Sequence, residues 1–408
     1  METIYKKTVL SNGIRVVTEY MPHVRSVSIG AWIEAGSRDE TPETNGISHF
    51  LEHMVFKGTV SRSSAAIAES LESVGGSLNA FTGKEVTCFY ANILDENIEL
   101  AVDVLSDLIG NAVIDAENLI KEKLVVIEEI NSLEDTPDEL IHDYFHKDIF
   151  TDKPLSYPIL GTKDIVTSFE QTQLIEFRNQ QYNSNNLVIA AAGNLDHHKL
   201  VTYAKEYFHI PSSKKNVHQN SNYTPKTVNQ TYIKNVSQAH ICTGSISVPY
   251  DDSRKYALLL LHSLLGGGMS SRLFQNIREK YGVAYSIYSF ADFFSDTGLF
   301  GVYLGVDTLN ISRALKLVQQ EFDRAKGEVI TIDELNRLKC HLKGNLMLGL
   351  ESTHSRMNRL AKMEINLNDY ISLDQVLNGI DAVKTEDVFS IAQHVLKDNM
   401  TTTIITSK

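Results

Sequence analysis

Apolar and polar residues alternate through 4–10 and 14–20, on either side of Ser11-Asn12-Gly13, which predicts a hairpin. Val24 to Ala35, rich in Val and Ile, predicts a third strand. After a polar loop the period changes. Ile47, Phe50, Leu51 and Met54 recur at helical spacing, so Gly46 to Phe56 is expected as a helix, with Thr44 or Asn45 as its cap and Gly58 at its C-terminal end. Ser61 to Val74 predicts a second helix, stopped by Gly75-Gly76. Ser77–Thr82 and Val86–Leu94 read as paired strands, and Glu96 to Ile109 as a helix. Asp115 caps a helix running to about Leu133, and Thr136-Pro137-Asp138-Glu139 restarts one with a capping box and Pro at its first position. Residues 155–185 form a mixed connection, Asn186 to Ala192 a short buried strand ending at Gly193-Asn194, and a helix follows to about Phe208.

The order of elements then repeats. Ala239 to Val248 is a strand, Ser253 to Leu265 a helix, Gly298 to Gly305 a strand, and Ile311 to Ala325 and Ile332 to Leu350 are helices. This predicts a duplication of about 200 residues, with halves at 1–212 and 231–408 joined by a polar linker at 213–230.

The first half carries a chemical pattern that the second lacks. His49 and His53 are four apart, one turn above the other on one helix face, where two imidazoles can grip one ion. Glu52, on the neighbouring flank, can act on a metal-activated water without being a ligand. This is an H-x-x-E-H arrangement. Taken alone, the motif leaves open two ordinary helix histidines. On the helix after Asp115, Glu122 and Glu129 are a heptad apart and share a face to within about 20°, beside Val125 and Val126. A carboxylate near a buried face is costly unless paired or bound to metal, and the alternative is an exposed acidic stripe with Glu128 and Glu129 solvated. In the second half the counterpart helix offers His262 among leucines, expected to be packed, and the long helix has Lys343, Asn345 and Met347 where acids are needed.

Composition narrows the class. A chain of 408 residues is too long for one ordinary core. No apolar run is long enough for a membrane span. The net charge of −13, with no basic stripe and no phosphate-binding glycine motif, argues against nucleic acid or nucleotide. Cys88, Cys242 and Cys340 lack metal-ligand spacing and are expected as buried free thiols. Met1 to Lys7 shows neither an apolar signal nor an Arg-rich stretch, so no signal or transit peptide is expected.

With both helices in view, the sequence resembles the pitrilysin/insulysin family of inverted-motif zinc peptidases, and within it the bacterial branch similar to processing peptidases. The match is densest from Gly46 to Thr59. The family's third ligand is a Glu about 76 residues beyond the second His, which selects Glu129 over Glu128. The resemblance thus implies one Zn²⁺ per chain held by His49, His53 and Glu129, with Glu52 as general base and Glu122 as a supporting acid. It implies a peptide substrate held as an added strand at Asn79, Ala80 and Phe81, helped by Arg278 and Tyr285. Gly266-Gly267-Gly268-Met269 resembles a glycine-rich loop of some processing peptidases, or is a helix terminator. The implied fold is α+β: two similar halves, each a mostly antiparallel sheet with helices packed on one face. The implied activity is a zinc metalloendopeptidase cleaving peptides or precursor targeting segments inside a chamber, expected as a homodimer in a bacterial cytoplasm. A non-catalytic structural subunit of the same fold, or a catalytic subunit needing a separate partner chain, are the alternatives.

Overall fold

The computed structural model describes residues 4–215, 223 and 227–407; of the expected linker, 216–222 and 224–226 lie outside the described residues. The chain begins with β1 (Ile4–Val9), β2 (Arg15–Tyr20), β3 (Ser26–Ile33), α1 (Ile47–Val55), α2 (Ser64–Glu72), β4 (Ser77–Thr82) and β5 (Thr87–Leu94). It continues with α3 (Ile98–Asn111), α4 (Ala116–Glu134), α5 (Pro137–Ile149), α6 (Lys163–Ser168), α7 (Gln171–Gln181), β6 (Leu187–Gly193) and α8 (His197–Tyr207). After the linker come β7 (Asn229–Ile233), β8 (Ala239–Ser247), α9 (Lys255–Leu265), a π-helical segment (Phe274–Lys280), β9 (Ala284–Phe293) and β10 (Gly298–Val306). The chain closes with α10 (Ile311–Gly327), α11 (Ile332–Gly349), α12 (Thr353–Leu367), α13 (Leu373–Ala382), α14 (Thr385–Val395) and β11 (Thr401–Thr406).

These elements form two compact units. One comprises Met1–Asn131, Tyr157–Val217 and Gly349–Tyr370; the other comprises Ser132–Ser156, His218–Leu348 and Ile371–Lys408. A cut at the linker alone does not reproduce them, because α5 belongs with the second sheet and α12 with the first.

The first unit is built on a six-stranded sheet in the order β1-β2-β6-β3-β5-β4, with β2 and β6 parallel and every other pair antiparallel. Strand residues point alternately to the two faces. Val27, Ile29, Ala31 and Ile33 of β3 face one side and join a core with Phe50 and Leu51 of α1, Leu105 of α3, Leu174 of α7 and Leu200 of α8. This is the helical face expected for the half. The alternate residues face α12: Ser28 Oγ lies 2.8 Å from Thr353 Oγ1, and Gly30 backs onto Met357. That layer is polar as well as apolar. Arg356 pairs with Glu19, and the buried Glu364 takes Lys7 at 2.7 Å and Arg15 at 3.6 Å, which offsets the cost of burying these charges.

The second unit repeats the plan with five strands in the order β7-β11-β8-β10-β9. Ile241, Phe300, Val302 and Leu304 face α9, α10 and α14, while Cys242, Leu299, Tyr303 and Ile405 face α5. Each sheet is therefore covered on its second face by a helix from the other half of the chain. The fold class is α+β with two similar halves, as the resemblance implies.

Local differences have local causes. Helix α4 buries Leu119, Glu122, Val126 and Ile130, while Ile120, Leu124 and Val125 are exposed, so the apolar stripe does not include every aliphatic residue. Pro137 opens α5, but the Thr136 hydroxyl donates to the Ser132 carbonyl at 2.8 Å instead of forming the expected capping box. Cys88 and Cys242 are buried thiols, whereas Cys340 is exposed on α11. No described helix is long and apolar enough to cross a membrane.

Candidate metal centre

The site is assembled on α1. Its apolar stripe, Ile47, Phe50, Leu51 and Met54, is buried in the first core, which fixes the direction of its other face. The expected caps do not hold its start. Gly46 does so with φ of +95°, a conformation that side chains disfavour, and a Cβ there would lie 2.7 Å from the Leu160 carbonyl oxygen. The free N–H groups are met by Glu40. Its carboxylate accepts from Gly46 N at 2.7 Å, Ser48 N at 2.8 Å and Asn45 Nδ2 at 2.8 Å, an anion at the positive end of the helix. Burial nevertheless pushes the Glu40 carboxyl above its ordinary range. Glu40→Ala strands three donors and is expected to lower unfolding stability by about 1–3 kcal/mol, read by denaturant titration.

His49 and His53 stack one turn apart, with ring centroids 4.7 Å from each other. Across from them, Glu129 of α4 places Oε2 3.6 Å from His49 Nε2 and 3.5 Å from His53 Nε2. Among the described residues this is the one cluster of three or more such side chains able to hold a metal ion. The separations are long for hydrogen bonds. Donor atoms about 2.0–2.2 Å from one ion at tetrahedral angles stand about 3.3–3.6 Å apart, so this set fits Zn²⁺ in number, type and spacing.

A second layer orients the first. Glu122 Oε2 lies 3.2 Å from His53 Nδ1, which assigns the proton to that nitrogen and leaves Nε2 as the free lone pair. Glu122 is buried, and Lys57 Nζ pairs with its other oxygen at 2.7 Å. His49 has no such steering partner among the described residues, and its ring is held by packing. Burial, reinforced by His53, lowers the His49 pKa to about 4, so its imidazole is neutral and able to ligate at neutral pH. For His53, burial pulls the pKa down but the carboxylates of Glu129 and Glu122 outweigh it and raise it. His53 in turn holds the Glu129 carboxyl below its usual range.

Glu52 stands outside the three-residue cluster but close enough to feel the charges of His53 and Glu129. Its Oε2 accepts a hydrogen bond from the Thr82 hydroxyl at the end of β4, and burial raises its pKa. Among the described residues, strand β4 is the edge of the first sheet, paired to β5 alone. On it, Asn79 is exposed and its Oδ1 accepts from Ala80 N at 2.8 Å, Ala80 packs on the core, and Phe81 lies edge-on against Trp32 at 5.3 Å. Arg278 and Tyr285 meet each other in the second unit: the guanidinium lies 4.8 Å from the Phe274 ring centre and 5.6 Å from that of Tyr285, whose side chain is exposed. Gly266 ends α9 with its Cα against Ser289, so a Cβ would sit 2.2 Å from Ser289 N. His262 is packed as expected, with Nδ1 2.7 Å from Ser289 Oγ.

Glu40, Lys57 and Thr82 are the residues that sequence reasoning did not single out. Each acts through a partner brought close by folding; Lys57 and Thr82 lie inside stretches already marked, whereas Glu40 lies in the polar loop before them.

Known proteins resemble this chain along most of its length. Residues 15–163 match the family described as Insulinase (Peptidase family M16), and residues 168–342 match the Peptidase M16 inactive domain. A Bacillus subtilis protein named "Uncharacterized zinc protease YmxG" is 40% identical over 98% of this chain and 98% of its own. The chain belongs to peptidase family M16. A Streptomyces coelicolor relative, also named a zinc protease, is 39% identical over 96% of this M16 chain and 87% of its own length. The fold is shared with a protease from Helicobacter pylori, with a TM-score of 0.90, 21% identity and 99% coverage of both chains. A Pseudomonas fluorescens structure described as a peptidase M16 inactive domain aligns with a TM-score of 0.91, 20% identity and 98% coverage of both. In this M16 chain His49, Glu52, His53, Glu122 and Glu129 fall within the first matched segment, and among the described residues His262 and Lys343 of the second half belong to no metal-binding cluster.

Proposed function

We propose that this M16 chain is a zinc metalloendopeptidase acting on peptides or precursor targeting segments. The observation that carries the reading is the convergence of His49, His53 and Glu129 on one point, with the Glu52 carboxylate beside them and outside the ligand set. Zinc held there supplies Lewis-acid polarisation of a peptide carbonyl and acidifies a water. Glu52 accepts the proton of the attacking water and returns it to the departing amine. Lys57 and Glu122 keep His53 turned so that Nε2 faces Glu129. The free edge of β4 offers backbone groups to an extended peptide, so that affinity comes from the main chain and selectivity from alternate side chains. Arg278, Tyr285 and the Gly266–Gly268 loop all reside in this one chain, which supports a homodimer needing no separate partner.

The test is metal content and hydrolysis of a pool of unstructured peptides, before and after chelation. One zinc per chain, with cleavage lost on chelation and restored by added zinc, is the expected result. A chain that takes up no zinc and cleaves nothing overturns the proposal.

A further inference from the structure

We infer that Thr82 is a positioning residue for Glu52, tying the base to the strand on which the peptide is proposed to lie; the inference rests on the peptidase reading above. Thr82 is the last residue of the edge strand β4, and its Oγ1 donates to Glu52 Oε2. Among the described residues this is the one hydrogen bond made to that carboxylate. A glutamate has three side-chain torsions, and holding it in one rotamer opposes about 1.5–2 kcal/mol of conformational entropy. A hydroxyl fixed on one oxygen holds the group and leaves the other oxygen to receive the proton.

The donor is itself held. A β-branched residue in a strand has few χ1 choices, so the direction of the Thr82 O–H follows the β4 backbone. Thr82 faces Thr87 across the ladder, and Thr87 is pinned through its hydroxyl to the Ala35 carbonyl at 2.9 Å. The preceding residue, Phe81, rests on the buried Trp32. A peptide that adds to β4 therefore acts on the backbone that aims Glu52. Strand docking and alignment of the base are one mechanical event.

The experiment compares wild type, Thr82→Val and Thr82→Ser, each zinc-loaded. Valine keeps the shape and removes the donor; serine keeps the donor. Thr82→Val is expected to lower kcat by about 10- to 100-fold, the cost of a misplaced catalytic group, with KM within about threefold of wild type. Thr82→Ser restores most of kcat. Zinc content is unchanged throughout. Trp32 is the only tryptophan in the chain and its ring lies edge-on to Phe81 of β4, so its fluorescence is followed as the reporter of peptide binding without turnover. In zinc-depleted protein, wild type and Thr82→Val are expected to titrate with the same peptide affinity.

Three results would overturn the inference: normal kcat in Thr82→Val, a serine variant as impaired as valine, or a loss of peptide affinity that accounts for the lost rate. Absence of turnover in zinc-loaded wild type is a different failure, that of the peptidase reading itself, and the inference falls with it.

Discussion

Glu52→Gln retains zinc and loses turnover. The substitution keeps the volume of the side chain and an oxygen for the Thr82 hydroxyl, but removes the group that accepts a proton. Glu52 lies outside the three-residue cluster, so ligation is untouched. General acid–base catalysis contributes about 10²–10⁴-fold, and here one carboxylate serves both proton transfers, so the expected fall in kcat is at the upper end of that range. The check is kcat at saturating peptide beside metal analysis of the same sample. A variant with wild-type kcat and full zinc would remove Glu52 from the mechanism.

The second large effect is on metal affinity. His53→Ala deletes a ligand and leaves Glu122 and Lys57 with nothing to orient. A structural zinc site of four ligands is stabilised by about 10–16 kcal/mol, or about 3 kcal/mol per ligand, so affinity should fall by two decades or more. Glu129→Ala is expected to behave alike. Glu128→Ala is the matched control: Glu128 is exposed, pairs with Asn131 at 3.3 Å, and its loss should leave zinc affinity unchanged. Competition with a chromogenic chelator measures all three. Equal affinity in Glu129→Ala and Glu128→Ala would mean that the third ligand has been misassigned.

The motif made part of this site legible in advance. A four-residue spacing on an amphipathic helix dictates that His49 and His53 stack, and a heptad dictates that Glu122 and Glu129 share a face. Glu122 could be placed near a buried surface from the pattern, but its pairing with His53 Nδ1 and Lys57 depends on how α4 crosses α1. The choice of Glu129 over Glu128 came from the family resemblance, since both are exposed positions on the helix and periodicity alone does not rank them strongly. Glu40 was hidden for another reason. An acid in a polar loop normally reads as solvated, and nothing local shows that Gly46 turns the backbone back over it.

Most strands and helices up to residue 350 were readable from changes of period, but α6 and α7 were lost in the mixed connection at 155–185, and β7 and β9 were not marked as strands. What periodicity did not reveal is that both faces of each sheet are covered. Ser28 and Gly30 in β3 look like outward positions of a half-buried strand, yet they lie beneath α12. Glu19 likewise reads as solvent-facing but is buried against Arg356. A small or charged residue gives no sign of a cover arriving from more than 300 residues away, and only tertiary context supplies it.

That cover bears on how the chain is made. Translation delivers all six strands of the first sheet, and His49, His53 and Glu129, well before Thr353–Leu367 is synthesised. Until then the nascent sheet presents Trp32, Glu19 and Arg15 bare on one side. The first unit is thus finished only when α12 is added: a chain stopped after the linker holds His49, His53 and Glu129 but lacks the helix that covers the second face of their sheet.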